Sequence, residues 1–297
     1  MIMTVRLLLH PNLGLMPSIW NNKILSLLIG TPWPKFRGYN DDYKDNPLMK
    51  MQTYVINLAR SADRWQRIHR HLSDLGVTHQ RVDAIDAQAH SLGDSGYNPE
   101  RNMAEYFLPL KRAEVACYMS HLKALKQLLA DPSVQYGLVL EDDVELLEAS
   151  KGIESIAKWL GCKNGGVVKL YSKRHVFGSQ VGNLSSVTIL KPWRIPLGFQ
   201  AQLWNRLAAQ EFVNKCATFY QPIDVEFQFN WRYDFSVYLV DENKVRELSA
   251  HLGGSTISPS KNKLGWAKLR LEVVRPWFRF KLLLKAIRYA LTVFRGS

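Results

Sequence analysis

The sequence predicts an α/β fold with a mostly parallel central sheet flanked by helices. Short apolar runs typical of buried strands alternate with amphipathic stretches of helical period, which is the pattern of β-α-β units. The chain has 297 residues, of which 46% are hydrophobic, so it is large enough for one globular domain with a sizeable core. One apolar run ends in three consecutive acids, where a strand of such a sheet would meet a ligand.

The first predicted β-α unit follows an N-terminal stretch of different character. Residues 1–48 show no sustained period, and we interpret them as an extension that is either a flexible arm or an upstream addition to a domain beginning at 49. The first strand is predicted at 53–58. Ser61 is a candidate N-cap of the helix that follows. A second strand is predicted at 81–86, where it runs into acids.

The middle and the end of the domain, which we place at 49–260, continue this alternation. Residues 87–110 are polar and predict a loop with room for one helix. Apolar side chains at every third or fourth position predict a long helix at 113–129, which Asp131-Pro132 ends. The later predicted elements are a helix at 149–160, a strand at 166–171, a mobile loop at 172–197, a strand at 198–203, a helix at 207–216 and a strand at 235–240.

The acids Glu141, Asp142 and Asp143 directly follow the apolar run 138–140. Their charges repel one another and resist desolvation, so a buried strand does not normally end in this way. A divalent cation relieves both penalties, and hard oxygen ligands suit Mg²⁺ or Mn²⁺, which usually also hold phosphate. The triplet therefore predicts a metal-diphosphate site, with a solvated acidic turn as the alternative.

The basic charge of the chain is concentrated at its C-terminus. The formal net charge is +13, and residues 263–297 contain nine Lys or Arg against one acid. We predict that 261–297 is a basic amphipathic tail that binds an anionic membrane surface. A C-terminal helix packed on the domain with a solvated basic rim is the alternative. The predicted basic stripe is Lys281, Lys285, Arg288 and Arg295, and the opposing apolar surface is Phe280, Leu283, Leu284, Ile287 and Leu291.

Cysteine usage and hydropathy predict a cytoplasmic protein. The three cysteines match no disulfide or metal framework, and we expect reduced thiols. Cys117 lies in an apolar helical pattern and is interpreted as a small hydrophobe rather than a free nucleophile. The sequence contains no uninterrupted apolar run of about 18 residues, so we predict no transmembrane helix. The N-terminus is not typical of a signal peptide.

Four separated blocks of the sequence carry a family resemblance. They are 54–64 (YVINLARSADR), 114–121 (EVACYMSH), 138–144 (LVLEDDV) and 222–226 (PIDVE). In this order they resemble glycosyltransferase family 25, whose bacterial members build lipopolysaccharide or lipooligosaccharide and whose animal relatives glycosylate collagen. The resemblance covers about 51–240.

The chain also departs from the family at two places. Ala113 stands where the family often has Gly, and 198–202 stand where it often has Gly-Thr-x-Ala-Tyr. The second departure concerns the acceptor side and therefore the sugar specificity.

The resemblance implies a fold similar to the GT-A type and an inverting transfer of a hexose. The implied donor is a UDP-sugar, with galactose before glucose, and the implied acceptor is a hydroxyl of a lipopolysaccharide, lipooligosaccharide or related glycan. The implied cofactor is Mn²⁺ or Mg²⁺. Asp143 is the predicted direct ligand, with Glu141 or Asp142 holding the ribose or a metal-bound water. His251 is a further candidate for the metal shell. For such an enzyme the tail suggests a peripheral position on the cytoplasmic face of the inner membrane.

Further side chains in the matching blocks or after predicted strands are candidates for binding the donor. Guanidinium groups can pair with phosphate or stack on uracil. Charges on a helix surface are the alternative for Arg64 and Asp63, and a turn or cap is the alternative for Asp83 and the nearby Asp86. For His121 the alternative is a packed, hydrogen-bonded side chain. The donor-binding candidates are Asn57, Arg60, Asp63, Arg64, Asp83, Ser120, His121, Glu141 and Asp142.

Inversion requires a base that deprotonates the acceptor hydroxyl. Asp224 is the first candidate, with Glu226 behind it. The alternative for Asp224 is to cap a helix that starts after Pro222.

Two other classes of function remain as alternatives. High basicity and abundant aromatics suggest a nucleic-acid-binding protein, although the charge is concentrated in the tail and no recognised binding motif is present, so we expect no nucleic-acid partner. A catalytically silent relative that serves as a scaffold is the second alternative, and the intact acids 141–143 argue against it.

Overall fold

The computed structural model describes residues 50–88, 92–93, 95–147, 150–163, 166–185, 187–248 and 274–286, all of which belong to one compact unit, Asp42–Ser297. The predicted extension 1–48 lies outside the described residues, as does His251. Of the predicted tail 261–297, the structure describes the helix at 274–286.

Ten strands and seven α-helices are defined within these ranges. The strands are β1 (Lys50–Asn57), β2 (His79–Asp83), β3 (Val134–Glu141), β4 (Val144–Leu146), β5 (Gly166–Lys169), β6 (Gly178–Leu184), β7 (Val187–Pro192), β8 (Ala201–Asn205), β9 (Ser236–Val240) and β10 (Val245–Glu247). The helices are α1 (Ala62–Asp74), α2 (Pro99–Glu105), α3 (Arg112–Ala130), α4 (Ser150–Gly161), α5 (Arg206–Lys215), α6 (Ile223–Glu226) and α7 (274–286), with a short 3₁₀ helix at Asn230–Arg232.

Eight of the strands form one mixed sheet in the order β2-β1-β3-β8-β5-β9-β7-β6. Strands β7 and β8 run opposite to the other six, so most of the sheet points in one direction, and the predicted α/β class is confirmed. The parallel register pairs Asn57 with Asp83 and Ile56 with Glu141. The carboxyl ends of β1, β2 and β3 therefore meet at one edge of the sheet, where ligands bind in α/β folds.

Helices cover both faces of the sheet because alternate strand residues point to opposite sides. On β1, Tyr54 and Ile56 pack into a buried cluster with α3 and α5, whereas Val55 packs into a second cluster with α1 and α4. The helices lie where their apolar periodicity predicts them. Ser61 does precede α1, but its hydroxyl makes no capping hydrogen bond, which corrects that part of the prediction.

Three parts of the chain differ from the expected elements. The predicted loop 172–197 contains the antiparallel pair β6–β7, which forms an edge of the sheet. Strand β6 escapes detection because it is only half-buried and contains glycines, one of which, Gly182, lies under the Trp159 ring. The strand expected at 198–203 begins at Ala201, because Gly198 adopts a φ of +94° that a strand does not permit.

A small second sheet was also not expected. Strands β4 and β10 pair antiparallel, with Glu247 opposite Val144, and the Leu248 N–H donates to the Asp143 carbonyl at 2.7 Å. This pairing fixes the backbone that carries the three acids. Among the described helices, none has the length and hydropathy needed to cross a membrane.

Candidate functional site

A cleft of about 820 Å³ opens at the carboxyl ends of β1 and β3. The loops after β1 and β2, one face of α3 and the acidic turn after β3 form its walls. The predicted residues that line it are Arg60, Arg64, Ser120, His121, Glu141, Asp142 and Asp143. The sequence therefore identified most of the polar lining of this cleft, because the parallel strands bring their ends together.

Asp142 is held by direct partners on β1 and α1. Its carboxylate accepts from Asn57 Nδ2 at 2.7 Å and lies 3.3 Å from the Arg64 guanidinium. Its carbonyl accepts from the Arg67 guanidinium at 2.6 Å, and this arginine also donates to the Val144 carbonyl at 3.0 Å. These bonds anchor the turn that carries the three acids, and no local sequence pattern indicates them.

Glu141 and Asp143 are compensated less than Asp142. Burial and the adjacent carboxylates raise the pKa of Glu141 to about 8 and that of Asp143 to about 7. Asp143 Oδ1 is sealed from solvent and has no hydrogen-bond partner among the described residues. Two half-buried carboxyls with raised pKa values, one of them with an oxygen unpartnered within the described ranges, are a donor set that fits a hard divalent cation.

His121 reaches this cluster from α3. Its side chain is 2% exposed, and its Nε2 lies 3.1 Å from Glu141 Oε1. Burial lowers the pKa of His121 to about 3, so the imidazole is neutral at physiological pH. The neighbouring Ser120 hydroxyl accepts from the Ile85 N–H at 2.9 Å and donates to the Ala116 carbonyl at 2.7 Å. Ser120 thus fixes the loop that follows β2.

A second set of candidate ligands overlaps the first. Cys117 and His121, one turn apart on α3, bring their ligand atoms within 4.8 Å of each other and of a Glu141 oxygen. Burial raises the pKa of the Cys117 thiol, which keeps it protonated unless a cation binds. The interpretation of Cys117 as only a small hydrophobe is therefore incomplete, because a spacing of four residues places it on the same face of the helix as His121.

The remaining donor-binding candidates divide between the cleft and the surface. Arg60 pairs with Asp86, and both line the cleft. Asp83 has a side chain that is 69% exposed, lies 3.4 Å from the Arg81 guanidinium and does not line the cleft. Asp63 is an exposed acid in the first turn of α1. For these two acids the structure supports the surface alternatives.

The two candidate bases lie in different surroundings. Asp224 accepts from the Gly198 N–H at 3.1 Å, and its charge contributes to the raised pKa of Glu141, although Asp224 is not among the residues that line the cleft. Glu226 is 6% exposed and accepts from Gln221, Arg232 and Tyr233 at 2.6–3.0 Å. It lines a separate cavity of about 170 Å³, so the structure does not bring Glu226 to the cleft.

Two charged residues near the site were missed in the sequence. Lys169, at the end of β5, is fully buried and donates to the carbonyls of Pro196 and Gly198, both at 2.6 Å. Burial lowers its pKa to about 7. Glu247 on β10 raises the pKa of Glu141 and Asp143 further and accepts from the Tyr171 hydroxyl at 2.8 Å. A lysine inside the apolar strand pattern GVVKLY was the available signal for Lys169.

The sheet, the edge cleft and the uncompensated acids define a class of protein: an α/β domain equipped to hold a cation and an anionic ligand. Residues 50–175 match the sequence model of glycosyltransferase family 25, described as an LPS biosynthesis protein. Three of the four blocks lie within this match, which supports the resemblance to that family.

Curated relatives match over limited segments. Procollagen galactosyltransferase 2 of Mus musculus is 29% identical over 102 residues, 31% of this chain and 16% of the relative. The lacto-N-neotetraose biosynthesis glycosyltransferase LgtB of Neisseria gonorrhoeae is 34% identical over 117 residues, 37% of this chain and 38% of the relative. The chain thus matches well under half the length of these relatives.

Solved structures are similar at low scores. Protein A197 from STIV has a TM-score of 0.38 at 12% identity, covering 67% of this chain and 84% of that one. A Drosophila β1,4-galactosyltransferase 7 mutant in complex with manganese, UDP-Gal and xylobiose has a TM-score of 0.31 at 10% identity, covering 71% and 77%.

Proposed function

We propose that the chain is a metal-dependent, inverting glycosyltransferase. It would transfer a hexose, with galactose as the first candidate and glucose as the second, from a UDP-sugar to a hydroxyl of a lipopolysaccharide, lipooligosaccharide or related glycan. The family of residues 50–175 and the names of the curated relatives support the reaction class and the choice of galactose. The observation that carries the proposal is the pair of uncompensated acids, Glu141 and Asp143, at the edge of a cleft of about 820 Å³.

The proposed cation is Mn²⁺ or Mg²⁺, held by Asp143 and Glu141. Carboxylate oxygens suit these hard ions, whereas the overlapping set of Cys117, His121 and Glu141 suits a softer ion such as Zn²⁺. A bound hard cation would supply Lewis-acid stabilisation of the charge that develops on the leaving diphosphate. The oxygen set is favoured for the reaction because the donor itself presents hard phosphate oxygens.

Arg60 and Arg64 are the proposed contacts for the donor phosphates. Both line the cleft, and each is held by a carboxylate, Asp86 for Arg60 and Asp142 for Arg64. Ion pairs of this kind fix the direction of a guanidinium group at the wall of the cleft, where its charge and planar shape suit phosphate oxygens.

Asp224 is the proposed base. The Gly198 N–H holds one of its carboxylate oxygens at 3.1 Å, and the electrostatic influence of Asp224 reaches both Glu141 and His121. In an inverting transfer the acceptor hydroxyl is deprotonated on the face of the sugar opposite the leaving group. The base should therefore lie away from the donor phosphates. Asp224 meets this condition because it lies on α6, outside the β1–β3 edge that would hold the donor.

Titration calorimetry with UDP, UDP-galactose and UDP-glucose, each with and without Mn²⁺, tests the donor and the cation together. We expect binding that depends on Mn²⁺ and that falls at least about tenfold in Asp143→Ala, since a cation ligand is lost. Asp83→Ala is the matched control, because this acid ends the neighbouring strand outside the cleft. Cation-independent binding that is unchanged in Asp143→Ala would contradict the proposal.

The same titrations separate the two ligand sets. Cys117→Ser removes the thiolate from the overlapping set and leaves both acids in place. Donor affinity in Mn²⁺ should be unchanged in this variant if Asp143 and Glu141 hold the cation. A loss as large as that of Asp143→Ala would assign the cation to the set that contains Cys117.

A further inference from the structure

Helix α7 presents two apolar faces. Its inward face packs Leu282, 4% exposed, with Val225 and Phe229 in a buried cluster. Phe278 lies beside the same cluster, with its ring centroid 5.3 Å from that of Tyr106 and 5.3 Å from that of Phe107. This packing fixes the rotation of the helix about its axis. The alternative prediction for the tail, a C-terminal helix packed on the domain, is thus correct for the inward face of α7. It does not explain the apolar side chains on the outward face.

The outward face carries large apolar side chains in the open. Trp277 is 56% exposed, Phe280 49% and Leu284 50%, and the rings of Trp277 and Phe280 stack with centroids 5.9 Å apart. With a rotation of about 100° per residue, these three side chains point away from Phe278 and Leu282. Exposure of a contiguous aromatic and aliphatic stripe to water does not stabilise a domain, so this face is suited to an apolar partner.

The exposed apolar surface extends beyond the helix. Leu283 and Trp193 line the same small cavity, and the Trp193 ring stacks on that of Phe177 with centroids 6.5 Å apart. Of the ten large apolar side chains exposed within the described ranges, six belong to α7 or directly adjoin an end of the β6–β7 pair. The six are Phe177, Trp193, Trp277, Phe280, Leu283 and Leu284. We call these six residues the apolar rim.

Basic side chains accompany this rim. On α7, the four cations Arg275, Arg279, Lys281 and Lys285 are exposed, and residues 274–286 contain no acid. Lys281 and Lys285 lie between the inward and outward faces on one side, and Arg275 and Arg279 lie between them on the other. Apolar side chains bordered by long cations match a bilayer interface, where the apolar groups enter the acyl boundary and the cations reach anionic headgroups.

We propose that the apolar rim and its basic border bind the surface of an anionic membrane. This would hold the acceptor side of the cleft at the bilayer, because α7 packs on Val225, the residue next to the candidate base Asp224. The inference about the acceptor rests on the proposed function, whereas membrane binding itself does not. The chemistry of the partner is that of a lipid bilayer with negative headgroups, and a protein partner or a second copy of this chain are outcomes that the test distinguishes.

Flotation of the full chain with lipid vesicles tests the proposal. We expect binding to phosphatidylcholine vesicles that contain about one third phosphatidylglycerol and much weaker binding to pure phosphatidylcholine. The triple variant Trp277→Ser, Phe280→Ser, Leu284→Ser should lower the partition coefficient at least about tenfold. Lys281→Gln and Lys285→Gln should each lower it about fivefold. Leu207→Ser is the matched control, since Leu207 is 68% exposed on α5 and should not matter.

Two further measurements keep this result separate from that of the proposed function. Donor binding and transfer to a soluble acceptor should be unchanged in the triple variant, because the substituted side chains point away from the domain. Equal vesicle binding by the triple variant and the original chain would overturn the proposal. Sedimentation that shows a dimer dissociating in the triple variant, with no binding of either protein to vesicles, would assign the rim to a second copy and would overturn it as well.

Discussion

At the scale of single residues, the adjacent acids Asp142 and Asp143 have opposite energetic roles. Asp142 accepts a hydrogen bond from Asn57 and pairs with Arg64, so its charge is compensated. Asp143 has an Oδ1 with no hydrogen-bond partner among the described residues and a pKa raised to about 7, so its charge opposes folding. Functional sites commonly contain a charged group that destabilises the folded state, because the ligand supplies the partner that this group lacks.

Substitution of these two acids should therefore change stability in opposite directions. Asp143→Asn removes an uncompensated carboxylate and should raise the unfolding midpoint of the cation-free protein. Asp142→Ala removes a carboxylate acceptor that Asn57 and Arg64 share and should lower the free energy of unfolding by about 1–3 kcal/mol. Chemical denaturation in the presence of a chelator measures both. Equal destabilisation by the two changes would contradict the distinction.

The raised pKa of Glu141 predicts a pH dependence with a definite sign. Its pKa is about 8 in the folded state and near its ordinary value in the unfolded state, so between these values the folded state binds more protons. Linkage then requires that this group lower stability as pH rises through that interval. The cation-free protein and Glu141→Gln should unfold at similar temperatures at pH 5, and the variant should be the more stable at pH 8. Thermal unfolding with a chelator measures the difference, and a gap that narrows toward pH 8 would contradict it.

The comparison with Glu141→Gln is needed because other groups titrate nearby. His121, with its pKa lowered to about 3, contributes stability that is lost as pH falls below its unfolded value. Lys169, with its pKa lowered to about 7, disfavours the folded state most at low pH and less as pH rises. Both effects are present in the original chain and in the variant, so they cancel in the difference, which reports the Glu141 carboxyl together with its repulsion of Asp143.

At the scale of elements, Lys169 connects β5 to the loop before β8 and, through it, to α6. Its ammonium donates to the carbonyls of Pro196 and Gly198, and the Gly198 N–H holds Asp224. Lys169 is a positioning residue because it acts on the candidate base through this loop. Gly198 can make both contacts because its φ of +94° turns the backbone between its N–H and its carbonyl.

Replacement of this lysine should separate turnover from donor binding. Lys169→Met keeps the length of the side chain but removes the donor to both carbonyls, so the loop and Asp224 should lose their fixed position. We expect kcat to fall about tenfold or more, with donor affinity little changed. Stability should change little, since the loss of a buried charge offsets the loss of its hydrogen bonds.

Steady-state kinetics and calorimetry on the same preparation check this prediction. Lys173→Met is the control, because Lys173 is an exposed lysine four positions further along the chain. An equal loss of donor affinity and kcat in Lys169→Met would indicate a general disturbance of the cleft rather than an effect on the base.

At the scale of the whole molecule, the cleft is assembled from segments that are far apart in sequence. The ends of β1 and β3, the face of α3 and the β4–β10 sheet all converge on Glu141 and Asp143. A ligand that bridges these elements binds the folded state and not the unfolded chain. Its binding energy therefore adds to the stability of the domain by mass action.

Cation and nucleotide together should consequently raise the unfolding temperature. At a free concentration of about 100 times Kd, the added stability is about 2.7 kcal/mol, which corresponds to a shift of about 5–10 °C in a domain of this size. UDP without a divalent ion should give a smaller shift, because the uncompensated acids repel the phosphates. Scanning calorimetry measures both shifts, and an equal effect of UDP with and without Mn²⁺ would contradict a shared site.

Much of the site could be predicted because its residues lie within local patterns. The apolar run 138–140 with its three acids, the strand before Arg60 and the helical period that carries Ser120 and His121 are visible in the sequence itself. Parallel strands then bring their carboxyl ends to one edge, so strand order along the chain was enough to place these residues together. The exposed Asp63 and Asp83 were overestimated, because adjacency to a strand end does not tell which way a side chain points.

The sequence by itself determined the α/β class, the acid-tipped strand and the composition of the cleft, since these depend on periodicity and on neighbours in the chain. Only the tertiary structure decided that Asp142 is paired with Asn57 and Arg64, that Lys169 and Glu247 lie near the site, and which face of α7 is turned outward. The physical reason is that the charge balance of a buried group depends on partners brought close by folding. Asn57 and Asp142 are 85 positions apart, and no local pattern records that they meet.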